Sequence, residues 1–303
     1  TRRGAALFAG IAAHTIGPLD QPLTAAIALV LGAAGHRYGW PVAQGGSQSI
    51  WRAMVAYLEQ LGSEVVTGVR VETFSQLPRA RVALFDTSPT QLAHILGGHL
   101  PKAERRRAER WTYGPAAYKL DLAIRGEVPW ADDLARRAGT LHLGGALPEI
   151  RASEAAMAAG ELPDRPFMLA SQPHVADPSR EVDGIIPLWT YAHVPHGCAE
   201  DVTDRMIAQL ERYAPGISEQ IVARHVTTPE QFETFNPNLH GGDISGGATI
   251  PSQLVARPRL SPEPYSTGVP GVYLCSASTA PGPGVHGMSG HHAANAALRV
   301  LTA

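Results

Sequence analysis

The stretch Gly271-Val-Tyr-Leu-Cys-Ser-Ala-Ser-Thr-Ala-Pro-Gly-Pro-Gly-Val-His-Gly-Met-Ser-Gly-His-His-Ala-Ala constrains this chain more than any other, because it reads as strand, glycine loop and helix. Gly282, Gly284 and Gly287 satisfy the G-x-G-x-x-G pattern, in which glycines let a backbone approach a pyrophosphate at a helix N-terminus. A dinucleotide fold of the usual kind needs another strand about 20 residues later, with an acidic residue for the ribose. Here the sequence stops at Ala303. The loop is therefore expected to serve a cofactor whose main binding turn lies elsewhere, and hydride transfer with a nicotinamide through these glycines is the weaker reading. A bare structural turn needs one or two glycines. This one has four between 282 and 290, adds two prolines and opens its helix at Ser289, which favours contact with an anion or a ring edge.

Upstream, the pattern alternates between helix and strand. Residues 1 to 35 read as helical, with Leu7, Phe8 and Ile11 on one face and Leu23 to Gly35 as a buried apolar helix. The first residue is Thr and the opening helix is entered partway, so the sequence is expected to be part of a longer protein. Gly39 to Ser47 is a turn-rich entry to a helix with Ser47 as N-cap, Trp51, Met54, Val55, Leu58 and Leu61 at helical spacing, and Gly62 as the stop. Glu64 to Glu72 reads as a short β segment and Arg81 to Asp86 as a strand covered on both faces. Ser88-Pro89 starts a helix that Gly97-Gly98 ends. Strand, capped turn and helix in that order make an α/β layer.

From about residue 99 to 258 the character changes. Ala117 to Arg125 alternates as a half-exposed strand does, with Tyr118, Leu120, Leu122 and Ile124 on one side. Phe167 to Gln172 and Leu188 to Val194 are further strands, interrupted by helical stretches near 148 to 159 and 199 to 214. The expected class is α/β with an inserted α+β lobe, divided at 1–35, 36–98, 99–258 and 259–303.

The 303 residues suffice for two cores, and the net charge of −2 from 25 basic and 27 acidic residues gives no field that would favour nucleic acid. The basic run Lys102 to Arg107 is interleaved with acids and reads as a solvated helix face. Two cysteines, Cys198 and Cys275, form no disulfide framework and suit a reducing cytoplasm. The longest apolar run is too short for the roughly 20 residues that span a bilayer. His193-Val-Pro-His196-Gly-Cys198 and His291-His292 carry metal-ligand types, but a Pro-His-Gly turn after an apolar strand accounts for the first more simply, and no metal is expected. No G-x-S-x-G surrounds Ser278 or Ser289, so neither is a nucleophile elbow.

The C-terminal stretch resembles that of the phytoene dehydrogenase-related flavoproteins, relatives of the carotenoid desaturases and of the flavin amine oxidases. Trp40-Pro-Val-Ala-Gln-Gly-Gly-Ser47, Leu61-Gly-Ser-Glu-Val-Val-Thr-Gly-Val-Arg-Val71 and Phe235-Asn-Pro-Asn-Leu-His-Gly-Gly-Asp-Ile244 resemble the same family in the same order. The resemblance implies a Rossmann-like, amine-oxidase type FAD domain from 36–98 and 259–303, incomplete here, with 1–35 and 99–258 forming a substrate domain of mixed sheet and helices. It implies FAD as cofactor, with Val71 offering its backbone to the adenine ring. Ser276, Ala277 and Ser278 would border the pyrophosphate and ribityl chain, and Gly287, Met288 and Ser289 would lie under the flavin ring.

The implied activity is FAD-dependent hydride transfer, a desaturation or isomerisation of a hydrophobic substrate. A flavin carries that chemistry itself, so no catalytic side chain is singled out. Peripheral membrane contact would suit such a substrate. The chain departs from the family pattern in residues 1 to 60, where no G-x-G-x-x-G turn and no following acidic residue occur. Between Val71 and Arg81 a loop through Leu77-Pro78 replaces a longer meander. Autonomous FAD binding is thus not expected of the chain alone; a preceding segment or a complementary chain would complete the site. The alternative is a noncatalytic binding or partner subunit that keeps the fold.

Overall fold

A computed structural model describes residues 1–302 and divides the chain into two compact units. The first comprises Thr1–Val69, Ala117–Pro195 and Ala199–Thr228; the second comprises Arg70–Ala116, His196–Cys198 and Pro229–Ala303. Strands in chain order are β1 (Ala83–Phe85), β2 (Ala116–Arg125), β3 (Thr140–Leu143), β4 (Met168–Ser171), β5 (Ile185–Val194), β6 (Ile221–Thr227) and β7 (Val272–Leu274).

The first unit is built on a five-stranded sheet of order β3-β4-β5-β2-β6, in which the pairs β3/β4, β4/β5 and β2/β6 are antiparallel. β2 has the expected alternation: Tyr118, Leu120, Leu122 and Ile124 are buried and the residues between them are half-buried. The helices Arg2–Ala12 and Leu147–Ala158 pack together, with Ala9, Ala13, Ile150 and Phe167 forming one cluster. Gly10 is required there, since a Cβ at this position would lie 2.9 Å from Cβ of His142 on β3. The small residues of the first helix therefore face inward. Leu7 and Phe8, which the spacing puts on one face with Ile11, point outward.

The helix Thr24–Tyr38 departs from expectation: it buries only Thr24 and Ala28 and leaves Leu29 and Val30 exposed. The helix Gln48–Gln60 forms as the spacing predicts, and its end is a Schellman motif in which Ser63 N–H donates to the Leu58 carbonyl and Gly62 N–H to that of Glu59. Ser47 makes no side-chain capping bond, however, and the helix buries no residue at all. The β segment expected over Glu64 to Glu72 is irregular chain, because Val65, Val66 and Val69 are exposed and no strand pairs with them among the described residues.

In the second unit β1 and β7 run parallel, with Ala83 beside Val272, Leu84 beside Tyr273 and Phe85 beside Leu274. One face of the pair carries Phe85, Val272 and Leu274 against Leu92, Ile95 and Leu96 of the helix Pro89–Leu96. The other carries Tyr273 against Ala293, Ala296 and Ala297 of the helix Met288–Thr302. This is an α/β sandwich of three layers. Cover is incomplete on the second face, where Leu84 is 46% exposed, contrary to the expectation that the run from Arg81 is buried on both sides. Ser88 caps its helix as predicted, accepting from Gln91 N–H at 3.3 Å, with Pro89 at the first position and Gly97 at the end.

Parallel and antiparallel sheets thus coexist in one α/β chain, but the boundaries differ from those expected. Residues 36–69 belong with the antiparallel sheet, since Gly45 N–H donates to Asp177 at 2.7 Å and Arg180 donates to the Gly45 carbonyl at 3.0 Å. Residues 99–116 and 229–258 belong with the parallel pair. Among the described residues no helix is long and apolar enough to cross a membrane.

Candidate functional site

The candidate site lies at the C-terminal ends of β1 and β7, the edge where open α/β sheets receive ligands. Cys275 continues β7 by donating its N–H to the Phe85 carbonyl at 2.9 Å. Burial and the nearby Asp86 push its thiol up to about 11, so it stays protonated at neutral pH. Burial likewise raises the Asp86 carboxyl above the ordinary value.

Ser276 to Thr279 then form a tight turn. Thr279 N–H donates to the Ser276 carbonyl at 2.9 Å, Thr279 Oγ1 to the same carbonyl at 2.7 Å, and Ser278 N–H to Ser276 Oγ at 3.2 Å. Ser278 Oγ donates to the Gly246 carbonyl at 2.6 Å. Ser276 and Ser278 are buried and their hydroxyls are engaged inside the protein, so any ligand at this turn would meet backbone and the half-buried Ala277.

The loop then crosses the glycines to the helix Met288–Thr302. Val285 is 97% exposed, and His286, Gly287 and Met288 are exposed with it. Gly287 sits at φ +63°, where L side chains are strained, and nothing lies within 4 Å of where its Cβ would be. His286 Nδ1 accepts from Met288 N–H at 3.0 Å, and the buried Ser289 donates through Oγ to the Ala280 carbonyl at 3.4 Å. Open backbone at the start of a 15-residue helix presents the positive end of its dipole. Such a surface accepts an anionic group or the edge of a flat ring.

Of the residues expected at the site, Ser276, Ala277, Ser278 and Gly287 thus fall on one loop and Met288 and Ser289 on the helix it leads into, with Ser289 bonded back to Ala280. Val71 is in the same unit but outside any strand, and its half-buried side chain packs with the cluster of Phe85, Val272 and Leu274.

Two residues that sequence reasoning missed hold the site together. Arg257 is buried, donates through Nε to the Ala277 carbonyl at 2.8 Å and through Nη2 to the Ser245 carbonyl at 2.7 Å, and lies 5.5 Å over the Trp111 ring. Burial lowers it to about 10, opposed by Asp243, so it remains a cation. Asp243 is buried and accepts from the N–H groups of Gly114 at 2.7 Å, Ser245 at 2.6 Å and Gly247 at 2.8 Å. The run Asp-x-Ser-Gly-Gly was a readable turn signal for Asp243. Nothing in the sequence marks Arg257.

The histidines take separate roles. Buried His193 engages Glu154 at 2.8 Å through Nδ1, while exposed His196 donates from Nδ1 to the Gly114 carbonyl at 2.8 Å. His292 stacks on Tyr265 at 6.0 Å, and His291 bonds Asn295 at 3.0 Å.

No protein-family model matches the chain. Its curated relatives include pyridine nucleotide-disulfide oxidoreductase domain-containing protein 2 of Rattus norvegicus, 32% identical over 158 residues, covering 48% of this chain and 27% of that protein. A lycopene-forming phytoene desaturase of Pseudescherichia vulneris is 25% identical over 304 residues, covering 91% of this chain and 59% of the relative. Among solved structures, an oxidoreductase from Methanosarcina mazei superposes with a TM-score of 0.61 at 14% identity, over 98% of this chain and 64% of that one. The chain therefore spans less than two thirds of the length of these relatives, and it shares the fold of the last.

Proposed function

We propose that this homologue of the phytoene desaturases is part of an FAD-dependent oxidoreductase that acts on a hydrophobic substrate by hydride transfer, as a desaturase or an isomerase. The observation that carries the reading is the gathering of Ser276 to Ser278 and Gly287 to Ser289 at the ends of a parallel strand pair. This occurs in a chain aligned over 91% of its length with a phytoene desaturase. FAD fits the residues present. The Ser276 to Ser278 turn would border its pyrophosphate, the open backbone at Gly287 would lie against the ring, and Val71 would face the adenosine with its main chain. Bound there, the flavin would accept a hydride from a substrate carbon. The chain's own part is to hold the ring, orient the substrate and exclude water.

The reading includes a second polypeptide portion, either contiguous with this chain or separate from it, that completes the cofactor site. Two observations support it: the length of the relatives that the chain leaves uncovered, and the exposure of Trp40, Trp51, Met54 and Leu61, with no residue of the helix Gln48–Gln60 buried. A helix whose apolar face is exposed along its length marks a surface that another polypeptide portion can cover.

The test is expression of the intact gene product followed by absorbance spectroscopy and FAD titration. The expected result is a yellow protein with bound flavin for the intact product and weak or no flavin retention by residues 1–303 alone. An intact product that takes up no flavin under any reconstitution overturns the reading, and retention of NADH in place of FAD would do the same.

A further inference from the structure

A groove of about 590 Å³ lies in the second unit beside the helix Lys102–Glu109, lined among others by Arg106, Arg107, Arg110, Trp111, Ser252 and Gln253. The basic run on this helix reads from sequence as a solvated face, and for two of its cations the structure accounts in that way. Arg105 donates to the Gly97 carbonyl, and Arg107 pairs with Glu104. Glu104 is already shared, since Arg259 reaches its other oxygen at 3.1 Å.

Arg106 and Arg110 differ. They stand four residues apart on one face, so they repel each other as like charges at this spacing do. Among the described residues no carboxylate lies within ion-pair distance of either, and both line a concave wall.

The rest of the groove is tied down by hydrogen bonds. Gln253 accepts from Thr112 N–H at 2.9 Å and donates to the carbonyls of Thr112 at 2.9 Å and Ala248 at 3.1 Å, which fixes its place in the lining. Trp111 is held by its Nε1–H on the Gly246 carbonyl at 3.2 Å, and the buried Arg257 cation lies against its ring. Asp243, whose charge offsets that of Arg257, is held by three backbone N–H groups. The volume falls in the range of small-molecule sites, roughly 300 to 1,000 Å³.

We propose that this groove binds a small molecule bearing a diphosphate, gripped by the guanidinium groups of Arg106 and Arg110. Arginine is suited to the task because its planar fork donates two parallel hydrogen bonds to phosphate oxygens. Two forks one helical turn apart, about 5 to 6 Å along the axis, can hold the two phosphoryl groups of one diphosphate from the same side. The site uses none of the residues assigned to the flavin, and the proposal stands or falls independently of the reading above.

The experiment is isothermal titration of the purified chain with pyrophosphate and with ADP at constant ionic strength, with a hexaglutamate peptide as comparison. Pyrophosphate and ADP are expected to bind, and the pair Arg106→Ala/Arg110→Ala to weaken both at least tenfold without altering the circular dichroism spectrum. The pair Arg106→Lys/Arg110→Lys, which keeps charge and loses the fork, is expected to fall between. Binding of either ligand or of both that the Ala pair weakens supports the site, ADP alone pointing to a nucleotide and pyrophosphate alone to free polyphosphate. Absence of binding to either, binding unchanged in the Ala pair, or tighter binding of the peptide than of pyrophosphate overturns it.

Discussion

His14 Nε2 lies 2.9 Å from His142 Nε2, so the two imidazoles share one hydrogen bond, whose acceptor must be a neutral ring; two protonated rings cannot form it. The ring of His142 also stacks on Phe167, which in turn contacts His193. Burial, His14 and His193 together pull His142 down to about 4, and burial with His193 lowers His14 as well. In the unfolded chain both would take up protons below about 6.5. Between that value and 4 the unfolded state binds more protons than the folded one, so stability falls as pH falls through this window. For His142 alone the loss by pH 4 is of order 3 kcal/mol. Urea midpoints at pH 7 and pH 4.5 should differ accordingly, and His142→Leu should flatten the difference. An unchanged pH dependence in that variant would show that the imidazole is not the titrating group.

Asp243 is a single side chain on which three backbone donors converge, from Gly114, Ser245 and Gly247. Its removal strands those N–H groups in a buried place and deprives Arg257 of its nearby anion. Asp243→Ala is expected to cost at least about 3 kcal/mol, because an orphaned buried polar group carries its full desolvation penalty. Asp243→Asn keeps one acceptor oxygen and should cost less. Urea unfolding followed by circular dichroism measures both, and equal losses would mean that the oxygen asparagine retains contributes nothing and that the charge and the second oxygen carry the whole effect.

Elements whose signal is local were legible in the sequence. The alternation of Tyr118, Leu120, Leu122 and Ile124, the Ser88-Pro89 start and the Gly62 stop each depend on neighbours within a few positions. The stretch from Val65 to Val69 misled because β-branched residues favour strands only when a partner strand exists. The buried face of the first helix was not legible for a different reason: its approach to β3 selects Ala9, Gly10 and Ala13 over the more hydrophobic Leu7 and Phe8, a choice of size that hydropathy does not rank. In the candidate site, Ser276 to Ser289 could be read because they are contiguous. Arg257 could not, since it acts on the carbonyls of Ser245 and Ala277, at least a dozen positions away in either direction.

Gly287 offers a direct test of the flavin assignment. Its φ of +63° is strained for any residue with a Cβ, while the open space around it removes steric clash as a competing cause. Gly287→Ala is expected to cost about 1 to 2 kcal/mol of stability and to lower the flavin retained by the intact product, read as flavin absorbance per protein. Pro283→Ala in the same loop, which leaves that backbone angle free, serves as the control and should retain flavin. Undiminished flavin in the Gly287→Ala protein would remove this residue from the site.

The helix Gln48–Gln60 has an apolar face with nothing upon it: Trp51, Met54, Tyr57 and Leu58 are all exposed, and none of its residues is buried. In residues 1–303 the pair Met54→Glu/Leu58→Glu therefore removes no core contact. Its stability should stay within about 0.5 kcal/mol of the parent, the range for surface substitutions. Binding of a hydrophobic dye and self-association should both fall, because contiguous exposed apolar surface drives them. In the intact product the proposed completing portion covers this face, and the same pair would bury two unpaired carboxylates, which costs several kcal/mol. Thermal melts of the two forms, parent and variant, give the comparison. A variant equally harmless in both would mean that the face is open to solvent in the intact protein as well.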